Sequence, residues 1–99
     1  MFFIEKTTEF DKWLRKLKDL KAKGKILFRI QKIENDGHFG DCKPVGDGIK
    51  ELRLDFAKGY RIYFKEKDGK IILLLIGGDK SFQKKDIEKA KQIWKKLKK

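Results

Sequence analysis

Gly59-Tyr60-Arg61-Ile62-Tyr63-Phe64-Lys65-Glu66-Lys67-Asp68-Gly69-Lys70-Ile71-Ile72-Leu73-Leu74-Leu75-Ile76-Gly77-Gly78-Asp79-Lys80-Ser81 decides the fold. Tyr60 to Phe64 alternates with the period of two that marks a strand. Asp68-Gly69 is a two-residue hairpin signal, because both positions accept the positive φ of a tight turn. Ile71 to Ile76 is an unbroken aliphatic run, which predicts a central strand buried on both faces. Gly77 to Ser81 then turns the chain into a final helix with Ile87, Ala90, Trp94 and Leu97 on one stripe.

Upstream, Lys50-Glu51-Leu52-Arg53-Leu54-Asp55 alternates in the same way, so three antiparallel strands are expected. Residues 37–48 hold four glycines and the only proline, Pro44, and read as a loop. Phe2, Phe3 and Ile4 read as a short first strand. Thr7 and Thr8 offer helix N-caps, and Thr8 with Asp11 has capping-box spacing. Phe10, Trp13, Leu14, Leu17 and Leu20 form an amphipathic helical stripe, Gly24 a break or tight joint, and Ile26, Leu27, Ile30 and Ile33 a second stripe ended by Asn35-Asp36-Gly37. The expected architecture is one α+β domain over 1–99, in the order β-α-α-β-β-β-α, with an antiparallel sheet and two N-terminal helices packed on one face.

The 99 residues carry 27 Lys and Arg against 15 Asp and Glu, a formal charge of +12. Residues 12–32 hold nine basic residues and one acid, residues 84–99 eight Lys and two acids, and residues 33–83 balance. The excess therefore sits on the helical ends. It calls for a polyanionic partner, nucleic acid or an acidic protein, the plainer reading being a solvated Lys-rich surface. One cysteine, Cys42, excludes an internal disulfide and suits a reducing, cytoplasmic setting. The N-terminus lacks the apolar core and cleavage site of a secretion signal, and no apolar run reaches the roughly 20 residues of a membrane span.

Strand alternation separates the faces. Leu52, Leu54, Ile62 and Phe64 point toward the helices, leaving Arg53, Arg61, Tyr63 and Lys65 on the other side. Two guanidiniums beside a tyrosine suit a phosphate backbone with a base stacked alongside. An ordinary solvated face with Arg53 paired to Asp55 or Glu51 fits the same pattern.

The run Lys43-Pro44-Val45-Gly46-Asp47-Gly48-Ile49-Lys50-Glu51-Leu52-Arg53, the run Gly59 to Phe64 and the run Gly77-Gly78-Asp79-Lys80-Ser81 occur in this order at these spacings. Together they resemble the RelE/ParE/HigB toxin superfamily, specifically its phage-derived addiction module killer branch, over essentially the whole chain. The resemblance implies a toxin of a type II toxin-antitoxin system, neutralised by a cognate helix-turn-helix antitoxin. RelE-like members cleave mRNA in the A site of the 70S ribosome; ParE-like members share the fold and poison DNA gyrase. Carried over residue by residue, Arg61 matches the strand arginine on the scissile phosphate, Arg53 a basic position on the preceding strand, and Lys80 a basic residue after the last strand, the candidate proton donor. Lys50, Lys58, Tyr63, Lys65 and Phe82 are expected to line the RNA. The family's C-terminal stacking tyrosine has no counterpart: its place falls near Asp86, with Phe82 the nearby aromatic.

Such chemistry needs no cofactor or metal. The RNA 2′-hydroxyl attacks phosphorus, cations steady the phosphorane, and an acid protonates the 5′ oxygen. Arg61 suits the phosphorane charge because it stays protonated and binds two oxygens. The sequence offers no credible general base, a neighbouring lysine such as Lys50 being only a guess. The alternatives are a gyrase inhibitor without nuclease activity and a plain basic RNA-binding domain. His38 reads as a solvated loop residue, Cys42 as an unpaired thiol, Asp41, Asp47 and Asp55 as turn and surface acids, and Trp13 and Trp94 as core.

Overall fold

The computed structural model describes residues 1–98. The elements are β1 (Phe3–Lys6), α1 (Thr8–Lys16), α2 (Leu20–Asp36), β2 (Cys42–Gly46), β3 (Ile49–Leu54), β4 (Tyr60–Lys67), β5 (Ile71–Asp79), a 3-10 turn (Lys80–Phe82) and α3 (Gln83–Leu97). The strands form one sheet in the order β1-β5-β4-β3-β2. The expected α+β architecture and element order hold, with two differences. β1 runs parallel to β5, pairing Phe3 with Ile71 and Lys6 with Leu74, so the sheet is mixed. The Gly-rich segment also supplies a strand, β2, antiparallel to β3.

Pro44 and a register shift between Pro44 and Gly46 disguise β2. Both are tolerated because β2 is an edge strand, where a missing N–H breaks no ladder. Its hairpin to β3 turns on Asp47-Gly48, with φ of 57° and 74°, the same dipeptide and geometry as Asp68-Gly69 at 52° and 72°. The two N-terminal helices divide at Leu17–Asp19, not at Gly24. The Asp19 carboxylate accepts from Ala22 N at 3.1 Å and caps α2, placing Gly24 inside the helix. Thr7, rather than Thr8, caps α1: its Oγ1 accepts from Phe10 N at 2.9 Å. The same hydroxyl donates to Leu75 O at 2.7 Å, tying the cap to the central strand.

Each face of the sheet is covered. Phe10 of α1 and Ala22, Ile26, Ile30 and Ile33 of α2 bury Leu52, Leu54, Ile62, Phe64, Ile72 and Leu74. α3 covers the other face, where Ala90 and Ile93 enclose Ile49, Tyr63, Leu73, Leu75 and Ile76. Leu97, expected on the buried stripe of that helix, is exposed, and Ile93 takes its place. An enclosed apolar side chain of this size contributes about 1.5–3 kcal/mol, so this second cluster suffices to hold one helix to the sheet.

Between β4 and β5, Tyr63 is opposite Ile76 and Phe64 opposite Leu74, which leaves Leu75 as an extra residue in β5. Leu75 and Ile76 consequently both face α3, and the phase of every later residue is reversed. Gly77 then faces α1, where a Cβ would run into the Trp13 ring, and Gly78 faces α3, where a Cβ would meet the Asp86 carboxylate. Gly77→Ala forces the indole off the sheet. It is expected to destabilise the chain by about 2–3 kcal/mol, read from the urea midpoint at unchanged slope.

Candidate functional site

Arg53 of β3 and Arg61 of β4 are direct register partners, and Gly78 of β5 is opposite Arg61 on its other side. The two arginines therefore share the face on which α3 lies. Arg61 is 7% exposed. Its Nη1 donates to Tyr60 O at 3.0 Å, and its Nε stands 3.9 Å from Glu51 Oε1, the outer edge of an ion pair. Glu51 is fully enclosed, and its Oε2 accepts from Gln83 Nε2 of α3 at 2.7 Å. Arg53 pairs neither with Asp55 nor with Glu51: its Nε is 3.5 Å from Asp41 Oδ2, on the segment leading into β2. That segment is held by Arg29 of α2, whose guanidinium donates to Phe39 O, Arg53 O and Asp41 O at 2.8–2.9 Å.

Four buried side-chain atoms have no hydrogen-bond partner among the described residues: Glu51 Oε1, Arg53 Nε, Arg61 Nε and the Tyr63 hydroxyl. All belong to the α3-facing side of two adjacent strands. Buried polar groups are normally satisfied, so a concentration of exceptions marks a place kept for something other than folding. Burial and the Glu51 carboxylate push the Tyr63 hydroxyl far above the ordinary tyrosine pKa, with Arg61 opposing, so it stays a neutral phenol.

Lys80 is exposed at the start of the 3-10 turn, and its N–H donates to Gly59 O at 2.9 Å. Its side chain and the Arg61 guanidinium converge over Gly59. A Cβ there would lie 3.1 Å from Lys80 Cδ and 3.6 Å from Arg61 Nη1. Lys58 is exposed in the adjoining turn. Phe82, 59% exposed, lines a groove of about 530 Å³ with Gly78, Lys85, Asp86, Lys89 and Trp13. Arg53, Arg61, Lys80, Lys58 and Phe82 thus collect around one end of the sheet.

The remaining three residues are placed elsewhere. Tyr63 is wholly enclosed under α3, so its ring is not presented for stacking. Lys65 shares the Arg61 face four residues further along β4, with its ammonium 5.3 Å over the Trp94 ring. Lys50 pairs in register with Phe64 and projects to the opposite face, away from both arginines.

Against known proteins, the family described as Phage derived protein Gp49-like (DUF891) matches residues 12–95. The chain belongs to that family. An "Uncharacterized protein" of Haemophilus influenzae (strain ATCC 51907 / DSM 11121 / KW20 / Rd) is 53% identical over 90 residues, 91% of this chain and 90% of the relative. Among solved structures, the E. coli toxin RelE in the free state, with two arginines replaced by alanine, aligns with a TM-score of 0.71 at 18% identity, covering 93% of this chain and 97% of that one. RelE in the intact E. coli RelBE toxin-antitoxin complex aligns at 0.66 and 17% identity, covering 80% and 96%. The fold of this Gp49-like protein is that of RelE, and its resemblance to the RelE/ParE-type toxins holds for family and fold alike.

Sequence alone assigns no role at the site to Glu51, Gln83 or Asp86. Glu51 was legible in part, because alternation sets it on the face of Arg53 and register sets it diagonally from Arg61. Gln83 and Asp86 reach the site from α3, and strand alternation says nothing about which helix residue arrives over a given strand. Asp86 has its carboxyl pushed above the usual aspartate range by burial and by Asp79, with Lys89 opposing.

Glu51→Leu leaves Arg61 buried without a counter-charge and is expected to cost about 3 kcal/mol in denaturant unfolding. For Asp86, the folded chain holds the proton more tightly than the unfolded chain does. Its contribution is therefore fullest in acid and falls as pH rises from the ordinary aspartate pKa through the raised folded value. Asp86→Asn removes that loss: in denaturation series from acid to neutral pH, the variant should gain on the parent as pH rises.

Proposed function

We propose that this Gp49-like protein is the toxin of a toxin-antitoxin pair and acts as an endoribonuclease on mRNA in the ribosomal A site. The observation that carries the reading is the convergence of Arg61 and Lys80 over Gly59, next to two arginine Nε–H groups without a hydrogen-bond acceptor among the described residues. Unsatisfied buried donors on fixed cations suit the oxygens of a phosphate, and they suit a phosphorane better, because charge develops there during reaction. E. coli RelE, which shares the fold, forms a toxin-antitoxin complex with RelB; the partner of the present chain is a cognate helix-turn-helix antitoxin.

In this mechanism the scissile phosphate approaches over Gly59 and displaces the Lys80 stem. Arg61, oriented by Glu51 on one side and by Tyr60 O on the other, takes the phosphorane charge. Arg53, fixed by Asp41 and Arg29, supplies a second positive charge on the same face. Lys80 protonates the leaving 5′ oxygen, and Lys58 and Phe82 hold the flanking nucleotides. Alignment of the 2′-hydroxyl comes from the ribosome. Lys50, on the far face, takes no part as a base, so the 2′-hydroxyl proton passes to solvent water as the oxygen attacks phosphorus.

One observation favours a second reading. Asp86 sets a carboxylate against Gly78, the register neighbour of Arg61, where the resemblance would place a stacking tyrosine. A negative group so close to a phosphate path suits a ParE-like toxin that binds gyrase and cuts nothing. Induced expression followed by mapping of mRNA 5′ ends separates the two. Cleavage within codons, lost together with growth arrest on Arg61→Ala through a drop of about 10²–10³-fold in rate, is the expected result. Intact mRNA under continued arrest, with supercoiling by gyrase inhibited, overturns the nuclease reading.

A further inference from the structure

α2 buries Ala22, Ile26, Ile30 and Ile33 against the sheet. Its opposite side is also apolar. Leu20 is 77% exposed, Leu27 44% and Phe28 60%. With Gly24 they follow at i, i+4, i+7 and i+8, a single stripe on one side of a helix. Beside the stripe runs a groove of about 590 Å³, walled by Lys21, Lys25 and Phe28 of α2 and by Leu54, Asp55 and Phe56 at the end of β3. Isolated exposed apolar residues need no explanation, but a contiguous stripe does.

Gly24 lies in the interior of this 17-residue helix. Glycine there disfavours the helix relative to alanine, so it calls for a compensating reason. None lies within the chain, since a Cβ at Gly24 would find nothing within 4 Å. A residue without a side chain on an outward helix face permits close approach by a second backbone.

We propose that this face of α2 docks an amphipathic helix of a partner protein whose apolar stripe is bordered by Asp and Glu. The borders carry the argument for that occupant. Lys21, Lys23 and Lys25 flank the stripe, while residues 12–32 contain nine basic residues and one acid. A second copy of this chain would bring the same lysines together, a like-charge juxtaposition that association avoids. RNA would gain nothing from Leu20 and Leu27. An acidic helix satisfies both features, laying leucine-type side chains along Leu20, Leu27 and Phe28, crossing closest at Gly24 and meeting the lysines with carboxylates. The site lies across the sheet from Arg61, so the inference goes beyond the nuclease reading and does not depend on it.

The test uses a synthetic helical peptide of about 20 residues, long enough to span the stripe, with a leucine stripe and glutamate borders. A control peptide has lysine borders. Each is titrated into the isotope-labelled chain, and amide shifts and affinity are read by NMR, with sedimentation of the chain alone. The expected result is binding of the glutamate peptide only, with shifts confined to residues 20–31 and 54–56. Its affinity should fall about tenfold or more between about 0.05 and 0.5 M salt, and by a similar factor on Gly24→Leu or Phe28→Glu. Gly24→Ala should raise the thermal midpoint of the free chain while weakening the peptide complex, a pairing that a merely structural glycine would not give. Absence of binding, equal binding of the lysine peptide, or shifts centred on α3 would overturn the proposal. Self-association abolished by Phe28→Glu would overturn it too and assign the face to a second copy. None of these readouts involves RNA, so success or failure here is separable from that of the nuclease.

Discussion

β5 is enclosed from both sides, and one extra residue in it sets the phase of the sheet end. Ile72 and Leu74 belong to the core under α1 and α2, and Leu73, Leu75 and Ile76 to the core under α3. Were Leu75 paired like its neighbours, Gly77 and Gly78 would exchange faces, because a shift of one residue turns every later side chain over. The phase cannot be changed without cost, since Ile76 would turn out of the core under α3 toward α1, while Trp13 and the Asp86 carboxylate each need a residue without a side chain beneath them, which Gly77 and Gly78 supply. Placing α1, the start of α3 and the neighbour of Arg61 is therefore one constraint. The Thr7 hydroxyl reinforces it by bonding Leu75 O while capping α1.

That constraint also explains why the cationic site is both buried and unfinished. α3 needs Tyr63, Leu75 and Ile76 beneath it for burial, and this carries Gln83 onto Glu51 and Asp86 onto Gly78. Arg61 is then screened from water with its Nε at 3.9 Å from a carboxylate and unbonded. A buried ion pair with that geometry is a poor stabiliser, because desolvation offsets most of the attraction. Hydrophobic side chains would fill the same volume with less penalty, so the retained charges mark a purpose other than stability.

Much of this was legible in the residues. The Asp68-Gly69 turn, the aliphatic run of β5 and strand alternation were enough to order three strands and to set Arg53 beside Arg61 on the face away from α1 and α2. The same signals hid two features. Asp47-Gly48 announced a second hairpin as clearly as Asp68-Gly69, but Pro44 and flanking glycines masked the strand before it, since an edge strand is half solvated and needs no apolar alternation. The cover over the arginines was implicit in the run Ile71 to Ile76. A strand buried on both faces requires a layer on each, and with α1 and α2 committed to one side only the last helix remained for the other. Which α3 residues would meet Glu51 and Gly78 was beyond reach, because it depends on the angle at which the 3-10 turn delivers the helix.

The charge of the chain has a spatial logic that a total of +12 conceals. The two basic segments sit on helices packed against opposite faces of the sheet, α2 on one side and α3 on the other, with a balanced sheet between them. At physiological ionic strength exposed charges cease to act together beyond about 8 Å, so two lysine fields separated by a sheet and its side-chain layers behave as two surfaces. One side chain joins them. The Arg29 stem lines the groove beside Gly24, while its guanidinium bonds the carbonyls of Arg53 and Asp41, which form an ion pair on the other face. Removing Arg29 would take one donor each from the carbonyls of Phe39, Arg53 and Asp41, the last of which keeps the Arg53 N–H at 2.9 Å, and would loosen the hold on the segment around Asp41. The arginine of α2 thus belongs to the architecture of the cation site, while Lys21 and Lys25 on the same helix are exposed to a partner.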